Sequence, residues 1–469
     1  MIAVVLRKEL RAILRDGRFP VLALCAAALL VAVVIASGHV HRRVEAEKAQ
    51  VAAIVREQWD NQGDKHPHRG AHYGLYAFQP DAPLARIDPG IAAYVGHAIW
   101  LEPHRRNMPR FQPAADALPS ARWGELTPAF VLVALLPLLL IGLGFQSVAQ
   151  EHESGTLRML HGTRFRAPAL LAGKLAALLL VFGGVVVAAV VLALAFSPPA
   201  TTAGGWRSAT LAGSLALYYT CIAAIVLFVS AVVRRGTGAL YALLAIWVCF
   251  TLVTPRLASG VAGLVVPLPT AEQFWAAIHH DYTQGLPGDG DLATRGSRFD
   301  AELLARHGVS RLGDLPVGAM PLRRLARDQY ADRVHALHFS RLWQAFERQQ
   351  AIVRWMSLLS PALAMRNVSR TLAGTDLAHQ RHFEEAAENY RQRINREIDE
   401  WDATHTRGVT SFESKYADDA LWRSVGAFAY QPPPAGFALK AAAPDLMILL
   451  AWVAMSLVLL RRAAARLMP

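Results

Sequence analysis

Residues 208–255 read SATLAGSLALYYTCIAAIVLFVSAVVRRGTGALYALLAIWVCFTLVTP. This stretch contains two apolar runs, 208–233 and 236–255, and its charged residues are Arg234 and Arg235 between them. A helix needs about 20 apolar residues to cross the hydrocarbon core of a bilayer. The stretch therefore predicts two membrane-spanning helices joined by a tight basic turn.

The same pattern recurs along the 469 residues, which are 54% hydrophobic and 18% charged, against about 25% charged in a soluble domain. Runs of this length exclude a soluble enzyme and a disordered chain. They also exclude a membrane barrel, whose strands are about 10 residues long and alternate in polarity. We predict an all-α membrane protein with six transmembrane helices, at residues 19–38, 126–148, 169–196, 208–233, 236–256 and 442–460.

Two further details follow from these runs. Lys174 lies one turn inside the third predicted span, where we expect its ammonium group to snorkel to the membrane interface. Residues 257–271 are apolar but short and contain two prolines, so we expect a stretch that is interfacial or packed on the outer face, and no seventh span.

The first 18 residues have the pattern of a helix that lies in the membrane interface. Leu6, Leu10, Ile13 and Leu14 fall on one stripe, and basic residues surround them. We predict an N-terminal interfacial amphipathic helix over 1–18, which ends where the chain bends into the first span.

Two large hydrophilic segments, 39–125 and 257–440, separate the spans. No Gly or Pro interrupts residues 39–62, so the first segment should begin as a helical extension of the first span. Helices are also predicted over 322–359 and from an N-cap at Thr375 to about residue 405. Because both segments carry many aromatic residues, we expect them to form one mainly helical domain.

Positive charge indicates the orientation of the spans. Lys and Arg are concentrated at the two termini and in the short connections 149–168 and 234–235, which together carry 13 basic and 4 acidic residues. Cytoplasmic loops carry this excess of Lys and Arg. We therefore expect cytoplasmic termini, a location in the cell inner (cytoplasmic) membrane and extracytoplasmic segments 39–125 and 257–440. The net charge of +12 is poor support for nucleic acid binding, because the basic residues flank spans and form no single patch.

Motifs for chemistry within this chain are weak. The Gly173–Lys174 pair lacks the preceding glycines and the following Ser or Thr of a phosphate-binding loop, so no ATP hydrolysis and no bound cofactor are expected. The three cysteines lie singly in apolar runs, which excludes a disulfide scaffold and a zinc cluster. Histidines cluster at 66/68/72, 279/280, 335/338 and 379/382; the last two pairs share a helix face that can hold a metal, but we interpret all four clusters as structural or solvated.

The most informative stretch is residues 146–174, QSVAQEHESGTLRMLHGTRFRAPALLAGK. It resembles the first intracellular loop of type-2 ABC exporter permeases, which has an acidic pair, Gly-Thr-Leu, a short helix and Gly-Lys at the next span. Thr163–Arg164–Phe165 stands where the family often has a proline. The resemblance implies a coupling helix, within the loop 149–168, that docks on a separate ATPase subunit. The implied ATPase-coupling residues are Glu151, Glu153, Gly155, Thr156, Leu157 and Leu160.

Residues 72–107 and 360–391 resemble the outer segments of a subfamily of these permeases with two large extracytoplasmic insertions. The resemblance implies the membrane subunit of an ABC-type transporter, which pairs with a second permease copy as a homo- or heterodimer. ATP would be bound by the partner ATPase, and a periplasmic or outer-membrane partner is compatible with the large insertions.

Two other functions stay open at this stage. One is a mechanotransmission protein, in which an ATPase drives periplasmic helices without moving a substrate through the spans. The other is a membrane enzyme with an external site, for which the sequence offers no catalytic constellation.

Overall fold

The computed structural model describes residues 1–112, 126–161, 166–195, 205–407, 409 and 411–467. Most of these residues are helical, and the described residues contain one two-stranded antiparallel sheet, β1 (Leu75–Phe78) with β2 (Ala98–Leu101). In chain order the α-helices of four or more residues are α1 (Ile2–Arg15), α2 (Arg18–Asp60), α3 (Pro67–Ala71), α4 (Ala92–Val95), α5 (Leu136–Gly144), α6 (Ala149–Glu153), α7 (Thr156–His161), α8 (Ala167–Ala195), α9 (Gly205–Val232), α10 (Gly236–Val248), α11 (Thr254–Val265), α12 (Ala271–Gln284), α13 (Leu292–His307), α14 (Ala319–Met356), α15 (Pro361–Ala373), α16 (Leu377–His405), α17 (Asp419–Ser424) and α18 (Ala435–Arg466).

Six helical stretches within the described residues are long and apolar enough to cross a membrane. They are α2, the stretch containing α5, α8, α9, the continuous stretch of α10 and α11, and α18. This confirms the prediction of an all-α chain with six candidate spans and indicates a multi-pass membrane protein. Residues 113–125, the end of the third predicted span at residue 196, and Thr163–Arg164–Phe165 lie outside the described residues.

Two helices differ in length from ordinary spans. Helix α2 has 43 residues, about 65 Å at 1.5 Å per residue, so it carries the first span directly into the hydrophilic chain as predicted. The fifth span continues to Val265 instead of giving way to a separate interfacial stretch at 257. A π-helical turn at Cys249–Val253 precedes α11, and Pro255 lies in the first turn of α11, directly after this change of helical pitch.

A second π-helical turn, Val131–Leu135, interrupts the second span just before Pro137. Such a turn loosens the backbone ladder, and an unpaired carbonyl in a bilayer costs several kcal/mol. The hydroxyl groups of Tyr218 and Tyr219 donate to the carbonyls of Val133 and Leu132, each at 2.8 Å. The Trp247 indole donates to the next carbonyl, Ala134 O, at 2.7 Å. Helices α9 and α10 are therefore held to the second span by polar contacts as well as by packing.

The two hydrophilic segments pack together into one unit, which we call the hydrophilic unit and define as residues 39–112 and 266–434. Its core joins residues from both segments. The Trp59 indole donates to Trp422 O at 2.9 Å, and the Trp422 indole donates to Gly63 O at 3.1 Å. The buried members from the first segment are Trp59, Ala71, Leu75, Ala77, Ile99 and Leu101, and those from the second are Phe383, Ala387, Tyr390, Ile394, Ile398, Ala417, Leu421, Trp422 and Val425.

Helix α15 connects the hydrophilic unit to the helical bundle, by which we mean the six candidate spans packed together. Its apolar residues belong to the same buried cluster as those of α9 and α18, for example Met365 with Tyr218 and Leu449. Asp445 of α18, which is 1% exposed, accepts from the Asn367 amide at 2.9 Å and pairs with Arg354 at 3.1 Å. The hydrophilic unit and the bundle therefore share a packed interface that runs from the end of α14 through α15.

One buried carboxyl group in α16 gives the hydrophilic unit a testable pH dependence. Burial raises the pKa of Glu384 to about 7, although the Gln380 amide donates to it at 3.1 Å. The folded chain must therefore charge a buried carboxyl above pH 7, whereas the unfolded chain charges it near pH 4.5 at little cost. Glu384 thus subtracts stability as the pH rises from about 4.5 to 7, by at most about 3 kcal/mol.

We expect Glu384→Gln to raise the midpoint of thermal unfolding, relative to the wild type, by several degrees at pH 8 and by little at pH 5. The measurement is tryptophan fluorescence during heating of the full chain in detergent. Glu385→Gln is the matched control, because Glu385 is half-exposed and pairs with Arg381 at the surface. A Glu384→Gln gain that is the same at pH 5 and pH 8 would show that the carboxyl is charged throughout this range.

Candidate functional site

The loop between the second and third spans forms two short helices, α6 and α7, separated by Ser154 and Gly155. Gly155 has φ = 72°, a left-handed backbone conformation that glycine adopts without steric cost. Its missing side chain faces open space, so the backbone angle, and no close contact, accounts for the glycine. The predicted Gly-Thr-Leu sequence is therefore the point where the loop changes direction.

A buried cluster of charges holds this loop against the spans. Lys174 of α8 is 1% exposed, so the prediction that it snorkels to the interface is wrong. Its ammonium group donates to Glu9 Oε1 at 2.8 Å, to Glu151 Oε1 at 2.9 Å and to the carbonyl of Ser147 at 2.8 Å. A buried ammonium group is stable when it is paired and fully hydrogen-bonded, and these three acceptors satisfy its three N–H groups.

Lys8 completes the cluster from the exposed side. It approaches Glu9 at 2.7 Å and Glu151 at 3.2 Å, with 60% of its side chain exposed. The two positive charges of the lysines thus balance the two negative charges of the glutamates, and each glutamate contacts both lysines. We refer to Lys8, Glu9, Glu151 and Lys174 as the ion cluster; it joins α1, α6 and α8.

Two further hydrogen-bonded contacts join the loop to α9 and α10. The hydroxyl oxygen of Ser230, near the end of α9, accepts from the backbone N–H groups of Val148 and Ala149 at 3.0 and 3.1 Å. Glu153 Oε1 accepts from the backbone N–H of Gly236, at the start of α10, at 3.1 Å. A displacement of the loop therefore acts on four helices at once.

The predicted coupling residues divide into inward-facing and outward-facing groups. Glu151 belongs to the ion cluster, and Leu157 is 4% exposed in an apolar cluster with Val148 and Leu171; Leu160 packs against the same cluster. Glu153 is exposed although its carboxylate accepts the hydrogen bond from Gly236 N–H, while Gly155 and Thr156 are half-buried. The exposed tip is formed by Glu153, Ser154, Arg158 and Met159, of which Met159 is 70% exposed.

Glu151 and Leu157 make their contacts within this chain, and their coupling to an ATPase stays a prediction. The side chains of Glu151 and Leu157 hold the loop on the bundle. The exposed tip contains one predicted coupling residue, Glu153, and adds Arg158 and Met159. The sequence gives no local signal for Lys8 and Glu9, because Lys8 meets Glu151 across 143 residues of sequence and Glu9 meets Lys174 across 165. The Gly173–Lys174 pair is the sequence signal for this contact. A Cβ on Gly173 would lie 2.8 Å from the Val5 side chain. The glycine therefore lets α1 approach α8 closely enough for Lys174 to reach Glu9.

A family model described as a domain of unknown function (DUF3526) matches residues 271–431, from α12 to just beyond α17. No curated protein matches the chain. The matched region covers most of the second hydrophilic segment and includes α15, the helix that packs into the bundle.

Proposed function

We propose that this chain is the membrane-spanning permease subunit of an ABC-type transporter, which couples ATP hydrolysis by a separate ATPase subunit to export or envelope transport. The observation that carries the proposal is the ion cluster with its attached loop. The loop exposes a small tip that carries one anion, one cation and one apolar side chain, Glu153, Arg158 and Met159, while its other contacts fix it to α1, α8, α9 and α10. The resemblance of residues 146–174 to the coupling loop of type-2 exporter permeases supports the same function.

The proposed mechanism is transmission of a rigid-body movement. An ATPase that closes on nucleotide pushes on the exposed tip, and the push passes to the spans because packed elements move as units. The bundle also holds α15 through the Asp445 contacts, so the hydrophilic unit moves with α9 and α18. A second permease copy, identical or similar, would supply the other half of a transport path. This chain would bind no ATP itself.

A second function is favoured by one specific contact. The Arg207 side chain, at the start of α9, donates to the carbonyl of Leu372 in α15 at 2.9 Å and is 5% exposed. Such a buried link suits a mechanotransmission protein, in which the bundle drives the hydrophilic unit against a periplasmic partner. The two functions share ATPase coupling and differ in whether a substrate passes through the permease dimer.

We propose that the chain lies in the cell inner membrane with both termini in the cytoplasm, which places the exposed tip on the ATPase side. Reporter fusions at Asp60 and Asp300 are expected to report an extracytoplasmic position, and fusions at Leu160 and Ala465 a cytoplasmic one. The physical reason is the excess of Lys and Arg flanking the loop and the termini. A cytoplasmic signal at Asp300 would overturn this orientation.

The contact itself is tested with a photo-reactive amino acid at Met159, introduced in the host that supplies the partner subunits. We expect it to form a covalent adduct with an ATPase subunit, because Met159 projects from the tip with 70% of its surface exposed. Mass spectrometry of the adduct identifies the captured chain and whether that chain carries a phosphate-binding loop.

A further inference from the structure

Three histidines of the first hydrophilic segment, His68, His72 and His104, lie close together in the hydrophilic unit. His68 lies on α3, His72 follows that helix, and His104 follows β2. His68 Nε2 and His72 Nε2 are 3.1 Å apart, and each of the three side chains offers a nitrogen within 4.8 Å of the others. The ring centroids are 4.5 Å apart for His68–His72 and 5.0 Å apart for each of the other two pairs.

These separations fit one bound metal ion. Imidazole nitrogens coordinate Zn²⁺ at about 2.0–2.1 Å, which in a tetrahedral site places the nitrogens roughly 3.3 Å from one another. The His68–His72 distance is already close to that value. His72 and His104 are solvent-exposed and His68 is half-buried, so an ion reaches the nitrogens without unfolding the chain.

His104 has the hydrogen-bond partner that metal-binding histidines characteristically have. Its Nδ1 lies 2.7 Å from Oδ1 of Asp328, a residue of α14 that is 7% exposed. A carboxylate in this position fixes the imidazole tautomer and leaves Nε2 free to bind a metal. The second oxygen, Asp328 Oδ2, is buried and has no hydrogen-bond partner among the described residues, so a cation held by His104 would add positive charge close to this carboxylate.

The surroundings leave room for a fourth ligand. The cluster borders a cavity of about 780 Å³, and Glu102 and His335 are also in its wall. Arg324 is the nearby cation that opposes metal binding most directly, but its guanidinium is paired with Asp399 and Asp402, each at 2.6 Å. Three protein nitrogens and one open position are typical of sites in which the metal also binds a water or a substrate.

Three histidines of the other predicted clusters have polar partners of their own. His338 contacts Asp281 at 2.8 Å, and His379 contacts Asp376 at 2.5 Å. His382 contacts the Tyr430 hydroxyl at 2.9 Å. These three fit the structural role that the sequence predicts, which sets the His68–His72–His104 group apart.

We propose that His68, His72 and His104 form a binding site for a divalent first-row transition metal ion that prefers imidazole ligands, such as Zn²⁺, with Asp328 as the outer partner of His104. Bound metal would link the first hydrophilic segment to α14 through the His104–Asp328 contact. No residue of the site belongs to the ion cluster or to its loop, so metal binding can be tested apart from the ATPase-coupling function.

The test is a Zn²⁺ titration of the full chain in detergent, with any affinity tag removed and residual metal stripped by a chelator. We expect one Zn²⁺ per chain. His72→Ala should weaken binding by at least about 100-fold, and Asp328→Asn by about 10–100-fold. His280→Ala is the matched control and should bind as the wild type does, because the His280 side chain is 71% exposed and lies outside the cluster.

Cobalt gives a second measurement that does not depend on stability. Co²⁺ bound to three imidazoles and one oxygen ligand should show the visible absorption of a tetrahedral site, and His68→Ala should abolish it.

Because His72 is exposed, His72→Ala should keep the wild-type thermal unfolding curve in the absence of metal. Stoichiometric binding that survives both His68→Ala and His72→Ala, or no binding by the wild type, would overturn the proposal.

Discussion

Replacing Lys174 by methionine is expected to lower the stability of the full chain by about 3–5 kcal/mol, because it leaves Glu9 and Glu151 buried beside each other without their common cation. Lys8 remains, but its side chain is 60% exposed and compensates weakly. The measurement is the midpoint of thermal unfolding in detergent. Lys440→Met is the matched control, since Lys440 is exposed near the start of α18; it should leave the midpoint unchanged.

A triple variant separates the loss of charge pairing from the loss of packing. Glu9→Gln, Glu151→Gln and Lys174→Met together remove the buried charges while keeping similar side-chain volumes. Because well-packed neutral replacements of a buried ion cluster are often near-neutral in stability, the triple variant should recover most of what Lys174→Met loses. If the triple variant is no more stable than the single one, the ion cluster is not what fixes the loop to the spans.

Replacing Trp422 by alanine is expected to destabilise the hydrophilic unit by about 3–5 kcal/mol, the usual range for removing a buried tryptophan or phenylalanine. Trp422 is fully buried, packs edge-on against Trp59 at 6.1 Å between ring centroids, and hydrogen-bonds to Gly63 O. A Cβ on Gly70 would lie 2.2 Å from the Trp422 ring, which shows how closely the first segment encloses it. The variant should therefore separate the two hydrophilic segments.

Limited proteolysis measures that separation. We expect Trp422→Ala to speed cleavage within both 61–112 and 406–434, since each region loses the surface it packs on. Trp355→Ala is the matched control, because the same residue type is 71% exposed there, and its cleavage pattern should match the wild type. Faster cleavage of 406–434 alone, with 61–112 unchanged, would mean that the first segment folds without the second.

The spans and long helices were predictable because their signals are local. Charge-free runs locate all six apolar helices, and the absence of Gly and Pro over 39–62 predicts that α2 continues beyond the first span. Local signals are less reliable at helix ends, where two neighbouring residues can both serve as the N-cap. The N-cap of α16 is Asp376, whose side chain accepts from His379 N; Thr375 instead donates to Asp88 O.

The site was predictable in position but not in arrangement. Residues 146–174 point to a loop with acidic residues and a following lysine, yet nothing local shows that Lys174 turns inward to meet Glu9 from α1. The place of His104 in the histidine cluster was likewise not predictable from local sequence. It depends on the antiparallel pairing of β1 with β2, which brings the chain after β2 back to α3. Helix α15 resembles any amphipathic helix in sequence, and its place in the bundle depends on apolar residues of α9 and α18.

The account depends most on the exposed tip of the loop meeting an ATPase. Its most direct test is site-specific photo-cross-linking in host membranes, with the reactive amino acid at Met159 or Arg158 and, as a control, at Phe412 in the hydrophilic unit, which is 46% exposed. We predict an adduct with a subunit that carries a phosphate-binding loop from Met159 and Arg158, and none from Phe412. If neither tip position forms an adduct with an ATPase, or if Phe412 forms one equally well, ATPase coupling through this loop is contradicted.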